Sequence, residues 1–249
     1  MSEQQHSGSD HIAGGIVVEN VSVVYGERAV VDRVSFAAAE RRLGIIGPNG
    51  SGKSTLARVI GGLIDPTTGT VSAAGVDPHR DGRTARARIG FTFADPDAQI
   101  LMPTVREDVE FSLRASDLTK DERRAAAEAI LRRFGLAALA EAPAHRLSSG
   151  EKQLLALAAS LVREPSLLIC DEPTTLLDLR NAREMAAVLH TLTEQLVIVS
   201  HDLELVATCD RALRMEAGRI VDDGAPAQVI ERYRAEMAVA TAGGVDTAP

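Results

Sequence analysis

The chain has 249 residues, of which 45% are hydrophobic and 25% are charged, and its formal net charge is -8. These values fit a soluble globular protein with one well-buried core, and the negative charge argues against a general nucleic-acid binder. No stretch approaches the roughly 20 apolar residues of a membrane span, the start of the chain does not resemble a secretory signal, and two cysteines are too few for a disulfide framework or a zinc site, so a reducing, cytosolic setting is expected.

The two ends of the chain differ in composition from the part between them. Residues 1–14 are polar and rich in glycine and serine, and residues 237–249 are small and lack apolar periodicity. Both segments are predicted to be flexible tails, because such compositions bury too little apolar surface to fold. The predicted folded domain spans residues 15–236.

Apolar, β-branched runs alternate with helical patterns along this domain. A turn at Gly26 and Glu27 separates the first two runs, and a helix is predicted at 53–64. Wholly apolar strands that alternate with helices favour a parallel sheet covered on both faces, and hence an α/β fold. The predicted strands are 16–25, 29–37, 42–47, 167–171 and 196–201.

Between about residues 103 and 163 the strand pattern stops. The segments 104–114 and 118–136 both carry apolar residues at helical spacing, and a third apolar helical run covers 154–162. This region is therefore predicted to be a helical subdomain inserted into the sheet domain.

Residues 47–55 read GPNGSGKST and match the phosphate-loop pattern G-x-x-x-x-G-K-[ST] in full, with a strand before the loop and a helix after it. Glycines let backbone N–H groups surround a β-phosphate, Lys53 brings positive charge to the β and γ oxygens, and Ser54 holds Mg²⁺. A glycine-rich turn with an unrelated lysine is the alternative. The motif predicts ATP and Mg²⁺ binding by Gly47, Pro48, Asn49, Gly50, Ser51, Gly52, Lys53, Ser54 and Thr55.

Polar side chains follow two of the apolar strands. Asp171 and Glu172 end the strand LLICDEP, where a P-loop enzyme orients Mg²⁺ with the first carboxylate and polarises the attacking water with the second. His201 ends the strand LVIVSHD and is predicted to reach the same crevice, although a lone histidine is more often structural. Cys170 is interpreted as a small apolar strand residue and not as a nucleophile.

A second candidate phosphate-binding element, LSSGEKQ, occupies residues 147–153. Small hydroxyl residues and a glycine directly before an apolar helical run are typical of a helix N-terminus that holds an anion.

Together these motifs resemble the ATP-binding subunits of ABC transporters over about residues 16–235. The resemblance rests on the phosphate loop, the signature-like LSSGEKQ, CDEP at 170–173, TTLLD at 174–178, and His201. It implies a P-loop NTPase (RecA-like) core with an antiparallel β subdomain and an inserted α-helical signature subdomain. It also implies that Tyr25 stacks on adenine, with a strand-edge tyrosine as the alternative. The further nucleotide contacts that it implies are Ser148, Ser149, Gly150 and Asp178.

A narrower resemblance concerns residues 93–111, FADPDAQILMPTVREDVEF. They are similar to the glutamine-loop region of energy-coupling factor (ECF) transporters, which import vitamins, cobalt and nickel. The stretches ERRLGIIGPNGSGKST, GEKQLLALA and DEPTTLLDLRN are most similar to the biotin-importer branch of that group. Biotin is therefore the first expected substrate, with cobalt, nickel or another vitamin left open.

Three positions depart from the family pattern. Ala94 stands where the family has a glutamine that assists Mg²⁺ and water, and Gln99 is expected to replace part of that function as a metal ligand beside Ser54 and Asp171. Ser149 and Glu151 replace the glycine and glutamine of LSGGQ. Ala94 is expected to lower turnover. Glu151 is expected to point aside or to pair with a neighbour, and a degenerate half of an asymmetric dimer is the alternative.

The resemblance also implies a mode of action. Each ATP lies between the phosphate loop of one chain and the signature of another in a head-to-tail dimer, which is a homodimer or a heterodimer. The expected partners are the second ATPase chain, an integral membrane coupling subunit and a substrate-binding membrane subunit, with no nucleic acid. The expected location is the cytoplasmic face of the membrane. A conventional ABC transporter ATPase, a soluble ABC ATPase and a module that binds ATP without hydrolysis are the alternatives.

Overall fold

Nine strands and eight α-helices alternate along residues 15–242, the part of the chain that the computed structural model describes, with side chains described to residue 238. The strands are β1 (Ile16–Tyr25), β2 (Arg28–Ala38), β3 (Arg42–Ile46), β4 (Thr68–Ser72), β5 (Ile89–Thr92), β6 (Leu167–Asp171), β7 (Gln195–Val199), β8 (Arg211–Glu216) and β9 (Arg219–Gly224). The helices are α1 (Lys53–Ile60), α2 (Gly82–Arg88), α3 (Val105–Ser112), α4 (Lys120–Arg133), α5 (Ser149–Leu161), α6 (Leu179–Thr191), α7 (Leu203–Val206) and α8 (Pro226–Ala242).

The central sheet has six strands in the order β5-β6-β7-β3-β8-β9. All neighbours from β5 to β8 are parallel, and only the edge strand β9 is antiparallel to its neighbour β8. The strands that precede the phosphate loop, the Asp171–Glu172 pair and His201 are β3, β6 and β7, and they lie side by side in the sheet in the order β6-β7-β3. The three sets of polar side chains therefore leave the sheet at the same edge, the carboxyl ends of parallel strands.

A second, three-stranded sheet has the order β2-β1-β4 and is antiparallel. It packs around α1 on one face of the central sheet, and the shared core contains Val18, Val31, Leu56, Ile169 and Val199. This sheet is the antiparallel subdomain that the family resemblance implies.

The opposite face of the central sheet is covered by α3, α4, α5 and α6. Leu168 and Cys170 of β6 point into this second core, whereas Leu167 and Ile169 point into the first. The same alternation holds for β7, because successive side chains of a strand lie on opposite faces. Burial raises the pKa of the Cys170 thiol to about 12, in agreement with its interpretation as an apolar strand residue.

Residues 93–166, all of which are described, contain helices and turns but no strand. Thr104 and Thr119 begin α3 and α4 with capping boxes, in which Glu107 and Glu122 return hydrogen bonds to the capping residue. These helices lie within the segment 103–163 for which a helical subdomain is predicted.

The structure differs from the sequence prediction in three places. The strands β4, β5, β8 and β9 were not predicted. The strands β4 and β9 are largely exposed, β5 has only four residues, and β8 interrupts its apolar residues with Arg211, Arg214 and Glu216. The helix after the phosphate loop ends at Ile60 instead of 64, where Gly61 caps it and Gly62 takes a positive φ of 69°. The helix α8 continues to Ala242, past the predicted boundary at 236. The predicted tails at 1–14 and 243–249 lie outside the described residues.

Candidate functional site

The phosphate loop owes its shape to two glycines that no larger residue can replace. Gly47 has a φ of 147°, and a Cβ atom there would lie 2.1 Å from the carbonyl oxygen of Met215. Gly52 has a φ of 100°, and a Cβ atom there would lie 2.4 Å from the carbonyl oxygen of Val30. Both positions combine a left-handed backbone with close approach of a neighbouring strand, so the loop is held tightly against β8 and β2.

Lys53, the first residue of α1, is buried beneath the loop. Its ammonium group donates to the carbonyl oxygens of Gly47 (2.7 Å) and Pro48 (3.0 Å). Burial lowers the pKa of Lys53, and the nearby carboxylates of Glu172 and Asp171 oppose that shift. The buried hydroxyl of Ser51 has no hydrogen-bond partner. A buried cation and an unsatisfied hydroxyl within a loop of exposed amides fit a phosphate group.

Ser54 and Asp171 form the best-defined polar contact across the site. The Ser54 hydroxyl donates to Oδ1 of Asp171 at 2.7 Å, and the Arg58 guanidinium lies 3.6 Å from Oδ2. Burial raises the pKa of Asp171, while the hydrogen bond from Ser54 and the charge of Arg58 oppose the shift. One hydroxyl and one carboxylate, with phosphate oxygens completing the shell, are a donor set that suits Mg²⁺. Ser54 and Asp171 would hold the ion, which would neutralise charge on the phosphates.

Glu172 has an unusual backbone for a non-glycine residue, with a φ of 54°. Its N–H donates to Val199 O (2.8 Å), so the end of β6 is tied to β7. The carboxylate accepts hydrogen bonds at Oε2 from Nδ1 of His201 (2.6 Å) and from the hydroxyl of Thr175 (3.3 Å). A left-handed conformation fixed by surrounding bonds is a feature of functional sites.

A cavity of about 340 Å³ lies above the phosphate loop. Glu172 lines it, so the structure brings the candidate base to the loop. Tyr25 does not line this cavity, and its side chain is 55% exposed. Arg28, which no sequence motif singles out, does line it. The full lining is Arg28, Val30, Asn49, Gly50, Ser51, Gly52, Lys53, Ser54, Thr55 and Glu172.

The signature element begins α5 and forms a third capping box. Ser148 is the capping residue, and Glu151 Oε2 accepts from its backbone N–H (2.8 Å) and its hydroxyl (2.7 Å). Glu151 therefore points back to Ser148 and forms no ion pair with a described residue; the neighbouring ion pair joins Lys152 to Asp97 at 2.7 Å. Ser149 is the first residue of the helix. The Ser148 hydroxyl, which is expected to contact phosphate, donates to the Glu151 carboxylate in the single chain.

The signature element and the phosphate loop line separate cavities. Ser148, Gly150 and Glu151 border a cavity of about 350 Å³ together with Asn181 of α6. Asp178 caps α6 by accepting from the N–H of Asn181 at 2.8 Å. The structure therefore groups Ser148, Gly150 and Asp178 around the start of α5 and α6, away from Lys53.

Gln99, which is expected to be a metal ligand beside Ser54 and Asp171, has other polar partners in the structure. Its carbonyl oxygen accepts from the N–H of Phe93, and its amide nitrogen lies 3.0–3.3 Å from the oxygens of Phe91, Ala156 and Ser160. The amide thus joins the end of β5 to α5, and its polar atoms are used there. Ala94 lies two residues beyond the end of β5, next to the strand that ends in Asp171.

An apolar strand, a glycine loop and a helix whose first residues are Lys53 and Ser54, with Asp171 at the end of a nearby parallel strand, define a P-loop nucleoside triphosphatase. The α-helical insertion between β5 and β6 contains the start of α5, a second helix N-terminus of the kind that binds anions. This insertion narrows the range of P-loop families to which the chain can belong. A family model described as ABC transporter matches residues 31–175. The chain belongs to this family, and it is an ATP-binding ABC ATPase.

Similar proteins agree on this membership. The biotin transport ATP-binding protein BioM of Rhizobium etli is 42% identical over 88% of this chain and 97% of its own. The energy-coupling factor transporter ATP-binding protein EcfA1 of Levilactobacillus brevis is 37% identical over 87% of this chain and 81% of its own. A solved structure of CbiO1 from Clostridium perfringens, part of the ABC transporter complex CbiONQ, is 30% identical with a TM-score of 0.78, and the match covers 90% of this chain and 93% of that one.

Among the described residues, no helix has both the length and the apolar character needed to cross a bilayer. No cluster of three or more His, Cys, Asp or Glu side chains in that part of the chain is arranged to hold a metal. A Mg²⁺ ion bound by Ser54 and Asp171 would therefore take its remaining ligands from phosphate and water.

Proposed function

We propose that this chain is the ATP-hydrolysing subunit of an ECF-type importer, and that biotin is its first candidate substrate. The observation that carries the proposal is the separation, within one chain, of the phosphate-loop cavity and the signature cavity. A site divided in this way is completed by a second chain in head-to-tail orientation. ABC ATPases form dimers, and they work with membrane subunits.

In the proposed dimer, ATP lies between the phosphate loop of one chain and Ser148, Ser149 and Gly150 of the other. Mg²⁺ binds at Ser54 and Asp171, Glu172 polarises the attacking water, and His201 holds the Glu172 carboxylate through the 2.6 Å contact. Leu176 and Leu179, on either side of Asp178, expose 69% and 67% of their surface. Exposed leucines beside a capping aspartate suit a surface that a second copy covers.

The proposed site for the membrane coupling subunit is a groove of about 460 Å³ beside α3 and α5, with Leu101 exposed at its edge. Asp108 fixes the loop before it by accepting from the N–H groups of Leu101 and Met102 at 2.8 and 3.0 Å. The groove adjoins the glutamine-loop segment, so a helix seated there would sense movement next to Asp171. The complex would place this chain at the cytoplasmic face of the membrane.

The catalytic part of the proposal is tested with Glu172→Gln. The variant is expected to lose ATP turnover by at least about 100-fold and to form an ATP-bound dimer that gel filtration detects. Glu204→Gln, an exposed change in α7, is the control and should turn over ATP normally. Normal hydrolysis by Glu172→Gln would contradict the assignment of the base.

The transport part is tested by co-expression with candidate membrane subunits encoded beside this chain. We expect copurification with an integral membrane protein and ATP-dependent uptake of labelled biotin, both lost in Glu172→Gln. Uptake of cobalt or nickel instead of biotin would keep the importer and change the substrate. An active ATPase with no membrane partner would favour the soluble alternative.

A further inference from the structure

Arg28 is a charged residue at the nucleotide site whose side chain forms no ion pair or side-chain hydrogen bond with a described residue. It is the first residue of β2, and it lines the cavity above the phosphate loop together with Val30 and Glu172. No described residue forms an ion pair with its guanidinium. Arg33 on the same strand differs in this respect, because its Nε lies 3.1 Å from Oδ1 of Asp32.

The strand is fixed against the loop, which explains why Arg28 reaches the cavity. A Cβ atom on Gly52 would lie 2.4 Å from the carbonyl oxygen of Val30, so β2 and the phosphate loop are in direct backbone contact there. Side chains two residues apart on a strand lie on the same face. Arg28 and Val30 therefore lie on the same face of β2, and both line the cavity.

Arg28 is paired with Tyr25 at the end of the β1–β2 ladder. Residues directly opposite each other in an antiparallel pair place their side chains on the same face. Arg28 thus lines the same cavity as Lys53 and shares a face of the ladder with Tyr25, the residue expected to stack on adenine.

We propose that Arg28 binds the α-phosphate of the nucleotide. The inference rests on the proposed placement of the β- and γ-phosphates at the phosphate loop. A nucleotide that extends from this loop to Tyr25 brings its α-phosphate and ribose past Arg28. Lys53 cannot serve both the β- and γ-phosphates and the α-phosphate, because its ammonium is held at the loop by the carbonyl oxygens of Gly47 and Pro48. A guanidinium is well suited to two phosphate oxygens, since its N–H groups form a planar fork.

The test compares Arg28→Ala, Arg28→Lys and the control Arg33→Ala, with ATP, ADP and AMP as ligands in titration calorimetry. Arg28→Ala should weaken the binding of ATP and of ADP by a similar factor of about ten, because both nucleotides carry the α-phosphate. Any measurable AMP affinity should fall as well. Arg28→Lys should recover part of the loss, and Arg33→Ala should bind like the wild type.

The kinetic counterpart is a rise in KM for ATP with little change in kcat, because a contact to the α-phosphate is the same in the ground state and the transition state. Unchanged ATP and ADP affinities in Arg28→Ala would overturn the inference. Weakening of ATP alone would also overturn it, since that pattern belongs to a γ-phosphate contact.

Lys53→Ala separates failure of this inference from failure of the proposed function. Loss of ATP binding in Lys53→Ala with normal binding in Arg28→Ala would refute only the role of Arg28. Normal ATP binding in Lys53→Ala would refute the phosphate-loop site, and the assignment of Arg28 with it.

Discussion

Nδ1 of His201 lies 2.6 Å from Oε2 of Glu172, and the backbone N–H of His201 lies 3.3 Å from the same oxygen. One carboxylate oxygen is thus held by two groups of a residue that follows the neighbouring strand. The other oxygen, Oε1, is not used in these contacts. This arrangement sets the direction in which Glu172 presents its free oxygen.

His201→Ala should therefore lower kcat for ATP by about 100-fold with a small change in KM, because the glutamate remains but its orientation is lost. Steady-state hydrolysis by the purified chain measures this. His190→Ala, an exposed histidine at the end of α6, is the matched control and should retain full turnover. A rise in KM with unchanged kcat would show that His201 serves binding and does not orient Glu172.

Glu151→Gln should strengthen the ATP-dependent dimer. Glutamine can keep the capping box with Ser148, and the substitution removes a negative charge next to the position proposed for the γ-phosphate. One unit charge at about 4 Å in water corresponds to about 1 kcal/mol, or about fivefold in dimer affinity. Analytical ultracentrifugation of hydrolysis-deficient chains with ATP measures the effect.

Glu122→Gln is the control for Glu151, because Glu122 forms the same capping box with Thr119 at the start of α4. It should leave ATP-dependent dimerisation unchanged. Equal effects of the two substitutions would mean that helix stability, and not charge at the signature, determines the result.

Ala94→Gln should raise ATP turnover a few-fold. Position 94 follows β5, whose neighbour β6 ends at Asp171, so an amide there has access to the Mg²⁺ shell and the attacking water. Ala98→Gln, an exposed change four residues further on, should have no effect. If Ala94→Gln leaves both hydrolysis and transport unchanged, the alanine is not what limits this enzyme.

Asp171→Asn should abolish Mg²⁺-dependent ATPase activity while stabilising the nucleotide-free chain. Folding raises the pKa of Asp171 through burial, so the ionised form is disfavoured in the folded state at neutral pH. Asparagine removes that penalty and can still accept from Ser54. Thermal unfolding of the nucleotide-free chain should show a higher Tm than wild type at pH 7.

The pH dependence has a definite sign. A carboxyl group with a raised folded-state pKa favours folding when protonated, and this contribution is lost as pH rises through that pKa. The advantage of Asp171→Asn should therefore shrink as pH is lowered. Asp117→Asn, in an exposed loop, should match wild type throughout. An advantage that grows at low pH would contradict the assigned shift.

Gln99→Ala should destabilise the fold by about 2 kcal/mol, because it leaves the Phe93 N–H and the Phe91 carbonyl without their side-chain partner. The Mg²⁺ concentration for half-maximal ATPase activity should stay at the wild-type value. Urea unfolding and a Mg²⁺ titration check the two parts. Gln228→Ala, exposed on α8, is the control. A shifted Mg²⁺ requirement with normal stability would restore Gln99 to the metal site.

Much of the sheet was predictable because β1, β3 and β6 are long or wholly apolar and are bounded by turns or motif residues. The strands β4 and β9 were not, since their stability comes from pairing with β1 and β8 and not from their own hydrophobicity. Period-two and period-3.6 patterns report burial, so elements exposed on one side give weak signals.

The residues of the phosphate loop and the strand ends were predictable because their types and spacing match a known phosphate- and Mg²⁺-binding motif. The partners of Gln99 were not predictable, since sequence spacing cannot tell a glutamine near a metal from one that satisfies backbone groups between a strand and a helix. Arg28 gave no signal alone. Its place beside the phosphate loop appears only when β2 and the loop are brought together, as the close contact of Gly52 with Val30 shows.

The strand that ends in Asp171 contributes side chains to both hydrophobic cores. Leu167 and Ile169 belong to the core around α1, while Leu168 and Cys170 belong to the core of the helical insertion. A chain that lost the insertion would expose the second set to water, so its removal should destabilise the strand that carries Asp171. The helical insertion is therefore a structural support of the phosphate-loop site as well as an addition to it.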